Sequence, residues 1–458
     1  MPPRFQGPTG TRDLYPLDLA RRRWIEAKWR TVALRHGFDE VDGPAFEHTE
    51  LYTVKSGPGI VSEIFGVFSG KDEAGVKSMG DALLRGEHAA APWALRPEFT
   101  PTLARLYAAR AAQLPKPTKW FWQQHCYRAE KPQRGRLREF MQWNCDVIGG
   151  EPATTPADGP ADGQAVSPSL VAYDAEVIAA CVGLLEACGL TPAQARVQIN
   201  DRRAVSAAVA ACGGTGNEQA ALQALDARSK LPPERYRAQV QALGIDPDAL
   251  DGALDAIASA QSPHAAHLRA LLGALRQCGL GDWCAIQPRI ARGLAYYTGM
   301  VFEVIAEGER AVAGGGRYDN LIETFGGPPT PACGFGMGDV VLSLLLQDKG
   351  LMPADAQIAR ELGLRPDVYV ISNGDPASDA AVPGLLAALR RAGLHARRSY
   401  KGTKNIGKLL KEASDAGARS AAIVESGSEA TVKDLDTGAQ WPQRVELNAL
   451  PERLRLMA

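Results

Sequence analysis

The amino-acid sequence predicts an α+β protein in three parts, and three observations carry that prediction. Residues 119–148 read as two long strands around a basic loop. Residues 203–278 are rich in Ala and Leu and helical in pattern. From residue 365 onward, short apolar runs alternate with helical stretches, the signature of a small α/β domain with a largely parallel sheet. A length of 458 residues suits roughly three domains of about 100–200 residues each.

In chain order, residues 19–36 carry Ile25, Trp29 and Val32 at helical spacing, and Gly37 follows as a C-cap. Pro44 interrupts a short extended stretch, and FEHTEL opens the next element. Residues 100–113 read as a helix that precedes the 119–148 hairpin. Residues 151–168, rich in Pro, Ala, Asp and Gly, read as a flexible surface insertion. A helix resumes over 173–190, VQIN at 197–200 is a short strand, and strand signals return at 284–305 and 310–318. Residues 347–365 resemble a linker; beyond it DVYVIS, HARRSY, SAAIVE and ATVKDL alternate with helices at 376–392 and 404–416. The expected domains are 1–190 joined with 281–350 and carrying the insertion 151–168, a mainly helical insertion domain at 191–280, a linker at 351–364 and a C-terminal domain at 365–458.

Composition narrows the function. With 45% hydrophobic and 22% charged residues, the chain suits a globular protein with a large buried core. A formal net charge of −1 gives no global positive field, so nucleic-acid contacts must come from local basic clusters. The eight cysteines form no C-x-x-C pair, and His264 and His267 have no carboxylate or cysteine cluster beside them in sequence. A metal site is therefore not expected, and both histidines are expected as solvated helix residues. MPPRFQGPTGTRDLYP holds no apolar run that would make a signal peptide, and nowhere do 18 consecutive apolar residues occur. No membrane association and a cytoplasmic, reducing compartment are the expectation.

The strongest chemical signal is FWQQHCYRAEKPQRGRLREFMQWNCDVIGG, residues 121–150, whose loop holds Lys131, Arg134, Arg136 and Arg138. In its second strand Gln142, Asn144 and Asp146 fall at alternate positions and share one face, while Met141, Trp143 and Cys145 share the other. Such a strand can floor a polar pocket, and Arg128 on the partner strand can reach a phosphate from it in a bidentate fork. The plainer alternative is a basic hairpin on a surface sheet. Other segments converge with the hairpin. ALRPEFTPTLARL (94–106) sets Glu98 and Thr100 at a helix start, where their oxygens can accept from an ammonium group. ARGLAYYTGMVFEV (291–304) places Arg292 ahead of Tyr296 and Tyr297. AVAGGGRYDNLIETFGG (311–327) reads as a glycine-rich turn leading to Tyr318 and Asp319. PACGFGMGDVVLSLLL (331–346) enters a helix from glycines that permit tight backbone approach.

In this order the segments resemble class II aminoacyl-tRNA synthetases, and specifically the histidyl-tRNA synthetase family. YRAE…GRLREF resembles motif 2, the first helix with Pro44 resembles motif 1, and GFGMGD resembles motif 3. RGLAYYTG and GGGRYD resemble the two signatures of the histidine enzymes. The resemblance implies a catalytic domain on an antiparallel sheet flanked by helices, and an anticodon-binding C-terminal domain. It implies ATP-dependent activation of L-histidine, then transfer to tRNA(His), with Mg²⁺ accompanying ATP as substrate, no tightly bound cofactor, and a homodimer. Arg292 and Arg128 would be the catalytic cations. Histidine would be bound by Glu98, Phe99, Thr100, Arg128, Gln142, Asp146, Arg292, Tyr296, Tyr297 and Tyr318, and ATP by Arg128, Glu130, Arg136 and Arg292. Gln133, Arg134 and Arg136 would meet the acceptor end of the tRNA. Arg397, Arg398, Lys401, Lys404 and Lys408 would meet its anticodon region, unless they form only a solvated basic face.

Three positions depart from the pattern. Asp146 stands where the family usually has Glu, Ala295 where Asp is common, and Val340-Val341 where motif 3 usually carries Glu-Arg. The motif 3 arginine normally meets ATP, so another cation must face the triphosphate. Arg136 is the better candidate and Arg317 the second. GTKNIGKL (402–409) approaches a P-loop, but Leu409 replaces the Mg²⁺-binding hydroxyl, so it reads as a basic helix start. The rival reading is a non-catalytic paralogue, such as the histidine-binding regulatory subunit of ATP phosphoribosyltransferase. Such paralogues usually lack the C-terminal domain and degrade the histidine signatures, and this chain does neither.

Overall fold

The structure, a computed structural model, describes residues 5–56, 62–69, 71–86, 91–150, 166–228, 231–290, 296–309 and 311–456. The expected insertion at 151–168 therefore lies outside the described residues as far as Glu151 to Ala165 are concerned. The chain divides into two units, Met1–Leu14 with Ile25–Met352 and Tyr15–Trp24 with Pro353–Ala458.

The first unit is built on eight strands in the order Asp39–Glu40, Thr118–Tyr127, Glu139–Ile148, Ala332–Gly338, Ala313–Arg317, Met300–Ala306, Ala195–Asp201 and Cys284–Ile286. The two short outer strands pair parallel with their neighbours, and the six between them are antiparallel. The expected hairpin supplies its second and third strands, in register from Thr118 opposite Ile148 to Tyr127 opposite Glu139. The apolar face of Glu139–Ile148 is buried as its alternation demands: Trp143 stacks on Trp29 at 6.1 Å and meets the edge of Phe335 at 5.0 Å. Trp29 comes from the helix Pro16–Arg35, whose Ile25, Trp29 and Val32 are all buried. Gly37 ends that helix at φ +70°, with its N–H on Leu34 O and the Phe38 N–H on Ala33 O. This Schellman closure requires the left-handed residue that glycine supplies without strain.

Helix Pro168–Ala187 begins earlier than its apolar pattern suggested, because Ser167 caps it and Pro168 fills the first turn, where a missing N–H costs nothing. The four helices Arg202–Val209, Glu218–Ala227, Pro233–Ala242 and Pro247–Ala258 enclose an apolar core of their own. On either side of them, the strand Ala195–Asp201 lies in the main sheet and the helix Ala266–Gln277 packs along Pro168–Ala187. His267, expected in solvent, is instead buried, with Nε2 2.8 Å from Asp174 Oδ2; a carboxylate distant in sequence supplies the partner that local sequence did not show.

In the second unit the sheet runs Ala396–Arg398, Val368–Ser372, Ser420–Val424, Glu429–Asp434, Val445–Glu446. Its first three strands are parallel, as expected, but the last two add antiparallel. The reason is loop length: only residues 425–428 separate Ser420–Val424 from Glu429–Asp434, too few for a parallel crossover. Helix Ile406–Asp415 starts at the GTKNIGKL segment, where Asn405 accepts from the Lys408 N–H as N-cap. The stretch read as a linker contains the helix Asp355–Glu361, tied to Tyr15–Trp24 by Arg21 on Asp355 at 2.9 Å and by Trp24 Nε1 donating to Glu361 at 2.7 Å. Among the described residues no helix is long and apolar enough to cross a membrane.

Candidate active site

A cleft of about 660 Å³ opens on the polar face of the main sheet. Its floor follows from the pairing of two strands. Gly334 lies opposite Asp146, Gly336 opposite Asn144 and Gly338 opposite Gln142. Directly opposed residues share a face, so three glycines leave that face free for three polar side chains. The fit is close. A Cβ on Gly334 would lie 1.8 Å from Asp146 Oδ1, and one on Gly336 would lie 2.5 Å from Gln142 Nε2. These glycines lie in the strand Ala332–Gly338, which runs straight into the helix Asp339–Asp348 with Gly338 as its N-cap, as the sequence suggested. GGGRYD is different: its glycines are in the strand Ala313–Arg317, not in a turn. Side chains at Gly315 and Gly316 would meet Gly334 O at 2.4 Å and Met300 O at 2.7 Å, so glycine is what lets these backbones and the Tyr297 ring approach.

Asp146 is buried and accepts from the Tyr318 hydroxyl at 2.6 Å. Burial and the neighbouring Asp146 carboxylate push the Tyr318 hydroxyl well above its ordinary range, so it remains a donor. Gln142 Nε2 donates to Asn144 Oδ1 at 2.9 Å. Three tyrosines form a wall: Tyr296 and Tyr297 rings are 4.6 Å apart, and Tyr296 meets Tyr318 at 6.2 Å, edge to face. Across the cleft, Arg128 donates from Nε to Pro97 O at 3.1 Å and lies 5.2 Å from the Phe140 ring, which leaves its outer nitrogens for a ligand.

The structure thus brings Glu98, Thr100, Arg128, Arg136, Gln142, Asp146, Tyr296, Tyr297 and Tyr318 to one cleft. Phe99 lies beneath it, in the core, with its ring stacked on Trp122 at 4.2 Å. Glu130 pairs with Arg136 at 2.7 Å and is not on the lining. Gln133 and Arg136 exchange backbone hydrogen bonds around Gly135, at φ +75°, to close the loop tip. Arg134 projects from that tip to Glu309 and Asp348, each at 2.6 Å. Arg317, the second cation considered for a triphosphate, is wholly buried and bound to Asp174 and Asp319. Arg292 and Ala295 lie outside the described residues. In the second unit, Arg397 donates to His395, Arg398 lies 4.8 Å from the exposed Tyr400 ring, and Lys401 pairs with Glu412 at 3.3 Å. Lys404 packs on Gly374, and Lys408 stands in the first turn of Ile406–Asp415. Sequence reasoning passed over Glu303, which lines the cleft opposite Gly314. The signal is another glycine facing a polar residue, and it appears only once the strands are paired. Val340 and Val341 line the cleft in place of the usual Glu-Arg.

An antiparallel sheet bearing a long hairpin, a basic loop over the cleft and a glycine strand running into a helix is the class II aminoacyl-tRNA synthetase fold. The family model described as histidyl-tRNA synthetase matches residues 10–339, and a histidine–tRNA ligase of Halobacterium salinarum is 35% identical over 451 residues, covering 94% of each chain. The chain belongs to the histidyl-tRNA synthetase family. Among solved structures, the histidyl-tRNA synthetase of Nostoc sp. PCC 7120 has a TM-score of 0.71 at 21% identity, covering 99% of both chains. A Bacillus halodurans protein described as an ATP phosphoribosyltransferase regulatory subunit/histidyl-tRNA synthetase has a TM-score of 0.66 at 21% identity, covering 90% of this chain and 97% of its own.

Proposed function

We propose that this chain joins L-histidine to tRNA(His) in two steps. A histidine carboxylate oxygen attacks the α-phosphorus of ATP, releasing pyrophosphate and leaving histidyl-adenylate. The 3′-terminal ribose hydroxyl of the tRNA then attacks the histidyl carbonyl, and AMP departs. Both steps need positioning and charge compensation more than covalent help from the protein. The observation that carries the reading is the buried Asp146–Tyr318 pair, at 2.6 Å, where a polar floor meets a tyrosine wall. A small planar ring with two polar nitrogens suits that corner, and an apolar amino acid would leave its buried polar groups unpaired.

In this reading Glu98, Thr100, Gln142 and Asp146 surround the ammonium and nearby polar atoms, and Tyr296, Tyr297 and Tyr318 enclose the imidazole. Phe99 acts from below by fixing the start of the helix Thr100–Arg110. Arg128 holds the histidine carboxylate and the α-phosphate. Arg292, assigned from its place in RGLAYYTG, is the fixed cation at the α-phosphate. Arg136, with Glu130 beside it, faces the outer phosphates, where Mg²⁺ arrives with ATP as substrate. Gln133, Arg134 and Arg136 receive the acceptor end of the tRNA, and Arg397, Arg398, Lys401, Lys404 and Lys408 its anticodon region. A homodimer formed through the motif 1 region, working in the cytoplasm, completes the proposal.

The fold alone does not separate this reading from a regulatory subunit, since the Bacillus halodurans protein carries both descriptions. The match over 94% of a histidine–tRNA ligase, together with the assembled cleft, favours the enzyme. Amino-acid-dependent ATP–pyrophosphate exchange with all twenty amino acids tests it. Histidine alone should support exchange. Robust exchange with another amino acid, or none with histidine, would overturn the assignment.

A further inference from the structure

Behind the tyrosine wall runs a chain of charges, buried at Arg317, Asp174 and His267 and half-buried at Asp319, that no step of the proposed reaction uses. Arg317, at the end of the strand Ala313–Arg317, donates from Nη2 to Asp174 Oδ1 at 2.5 Å and to Leu170 O at 3.1 Å. Its Nη1 donates to Asp319 Oδ1 at 3.0 Å. The other oxygen of Asp174 meets His267 Nε2 at 2.8 Å. Burial alone would raise the Asp174 carboxyl, but Arg317 and His267 overcome it and hold the group below its ordinary range.

Asp319 passes this anchorage to the cleft. Its Oδ1 accepts from the Ala332 N–H at 3.1 Å, and its Oδ2 accepts from Thr298 Oγ1 at 3.1 Å. The Asp319 N–H donates back to Thr298 Oγ1 at 3.0 Å, and the Thr298 N–H donates to Arg317 O at 2.8 Å. Thr298 directly follows Tyr296 and Tyr297, while Arg317 and Asp319 flank Tyr318. All three wall tyrosines therefore join backbone that is clasped by Thr298 and Asp319. The three consecutive glycines of the strand Ala313–Arg317 offer no side chains to fix its register, and glycine-rich strands are prone to slip, which leaves Arg317 at its end as an anchor. A buried ion pair adds little net stability over apolar packing, because desolvation offsets most of its attraction. Geometry is what it can contribute here.

We propose that Arg317, through Asp319 and Thr298, is a positioning residue that sets the tyrosine wall against the Asp146 floor, so that amino-acid affinity depends on an ion pair that never touches the substrate. The proposal rests on the cleft being the amino-acid pocket, as assigned above.

The test uses full-length Thr298→Val, Arg317→Met and Arg317→Lys in ATP–pyrophosphate exchange, with KM for histidine and for ATP, kcat and thermal midpoints measured on each. Thr298→Val removes the clasp hydroxyl at nearly constant volume and carries the test if Arg317→Met does not fold. It should raise the histidine KM about tenfold, the worth of a lost hydrogen bond, with the ATP KM within twofold. Arg317→Met should do the same, and Arg317→Lys should recover part of the loss. A histidine KM within twofold of the parent, or equal rises for both substrates, overturns the proposal. If the parent activates a different amino acid, the functional assignment fails while that amino acid's KM still tests the clasp. If the parent supports no exchange, a crystal structure of Thr298→Val decides: displaced Tyr318 supports the proposal, and an unchanged Tyr318–Asp146 bond overturns it.

Discussion

Gly334→Ala probes the floor where its geometry leaves least room. The new methyl group would sit 1.8 Å from Asp146 Oδ1 and 2.5 Å from its Cγ, with Cys145 O at 2.9 Å behind it. A real Cβ approaches no atom closer than 3.0 Å, so the carboxylate must withdraw by about 3.0 − 1.8 = 1.2 Å. Asp146 is short, buried and fixed by register on both sides of its strand, so withdrawal means leaving the Tyr318 hydroxyl. Overpacking costs about 1–3 kcal/mol in stability. A lost charge-assisted hydrogen bond is worth roughly 1.5–3 kcal/mol, or about 10- to 150-fold in affinity. The histidine KM in ATP–pyrophosphate exchange should therefore rise at least about tenfold, with a lower thermal midpoint. Two neighbours grade the effect. Gly336→Ala meets the far end of the flexible Gln142 amide at 2.5 Å and should cost less. Gly338→Ala meets only Phe140 Cδ2 at 3.9 Å and should leave the midpoint and the histidine KM unchanged. A Gly334→Ala protein with the parent's histidine KM, or a Gly338→Ala protein as impaired as Gly334→Ala, would refute this account of the floor.

Four further outcomes are expected. Arg292→Ala should slow adenylation on the order of 10²–10³-fold, as for a lost oxyanion donor; single-turnover rates within threefold of the parent would give that role to another residue. Arg136→Ala should raise the ATP KM about tenfold or more and the histidine KM far less; if only tRNA charging suffers, Arg136 belongs to the acceptor stem. A chain ending at Leu364 keeps the Arg21–Asp355 and Trp24–Glu361 contacts and should retain histidine-dependent exchange while losing most charging, recoverable in part at high tRNA concentration; unchanged tRNA affinity would remove the anticodon role from residues 365–458. Glu176 is held down to about 2, chiefly by its hydrogen bond with His36 and then, against burial, by Lys119. A depressed carboxyl stabilises above its unfolded value near 4.5 and loses that contribution as pH falls toward about 2, so Glu176→Gln should show a flatter fall in thermal midpoint across that window; identical acid profiles would show that the pair contributes nothing.

The hairpin was legible because one strand carries two messages at period two. Met141, Trp143 and Cys145 announce a buried face, Gln142, Asn144 and Asp146 a polar one, and both faces are where alternation places them. The Gly37 cap and the helix start at Asn405 were legible for the same local reason: each feature is complete within a few residues. What failed was reading glycine by local habit. GGGRYD looks like turn chemistry and GFGMGD like a helix entry alone, but their glycines also answer to side chains far away in sequence: Gly334 to Asp146, Gly336 to Gln142, Gly316 to Tyr297. Register, which only the assembled sheet supplies, decides what a strand glycine is for. His267 misled in the same way, since its carboxylate partner Asp174 lies on another helix.

The departure at residue 146 has a structural answer in that same register. A glutamate could reach farther from this strand, whereas Asp146 keeps its carboxylate close to the sheet, in the space that Gly334 leaves open. The deficit in reach is met from the wall: Tyr318 brings its hydroxyl to 2.6 Å. Tyr318 is in turn placed by neighbours on both sides, Arg317 bound to Asp174 and Asp319 bound to Thr298. A shorter acid at the floor thus makes the pocket depend more on the wall's position than a longer, adjustable one would. In the positioning role proposed for Arg317, the charges behind that wall bear on the shorter acid in front of it through the Tyr318 hydroxyl.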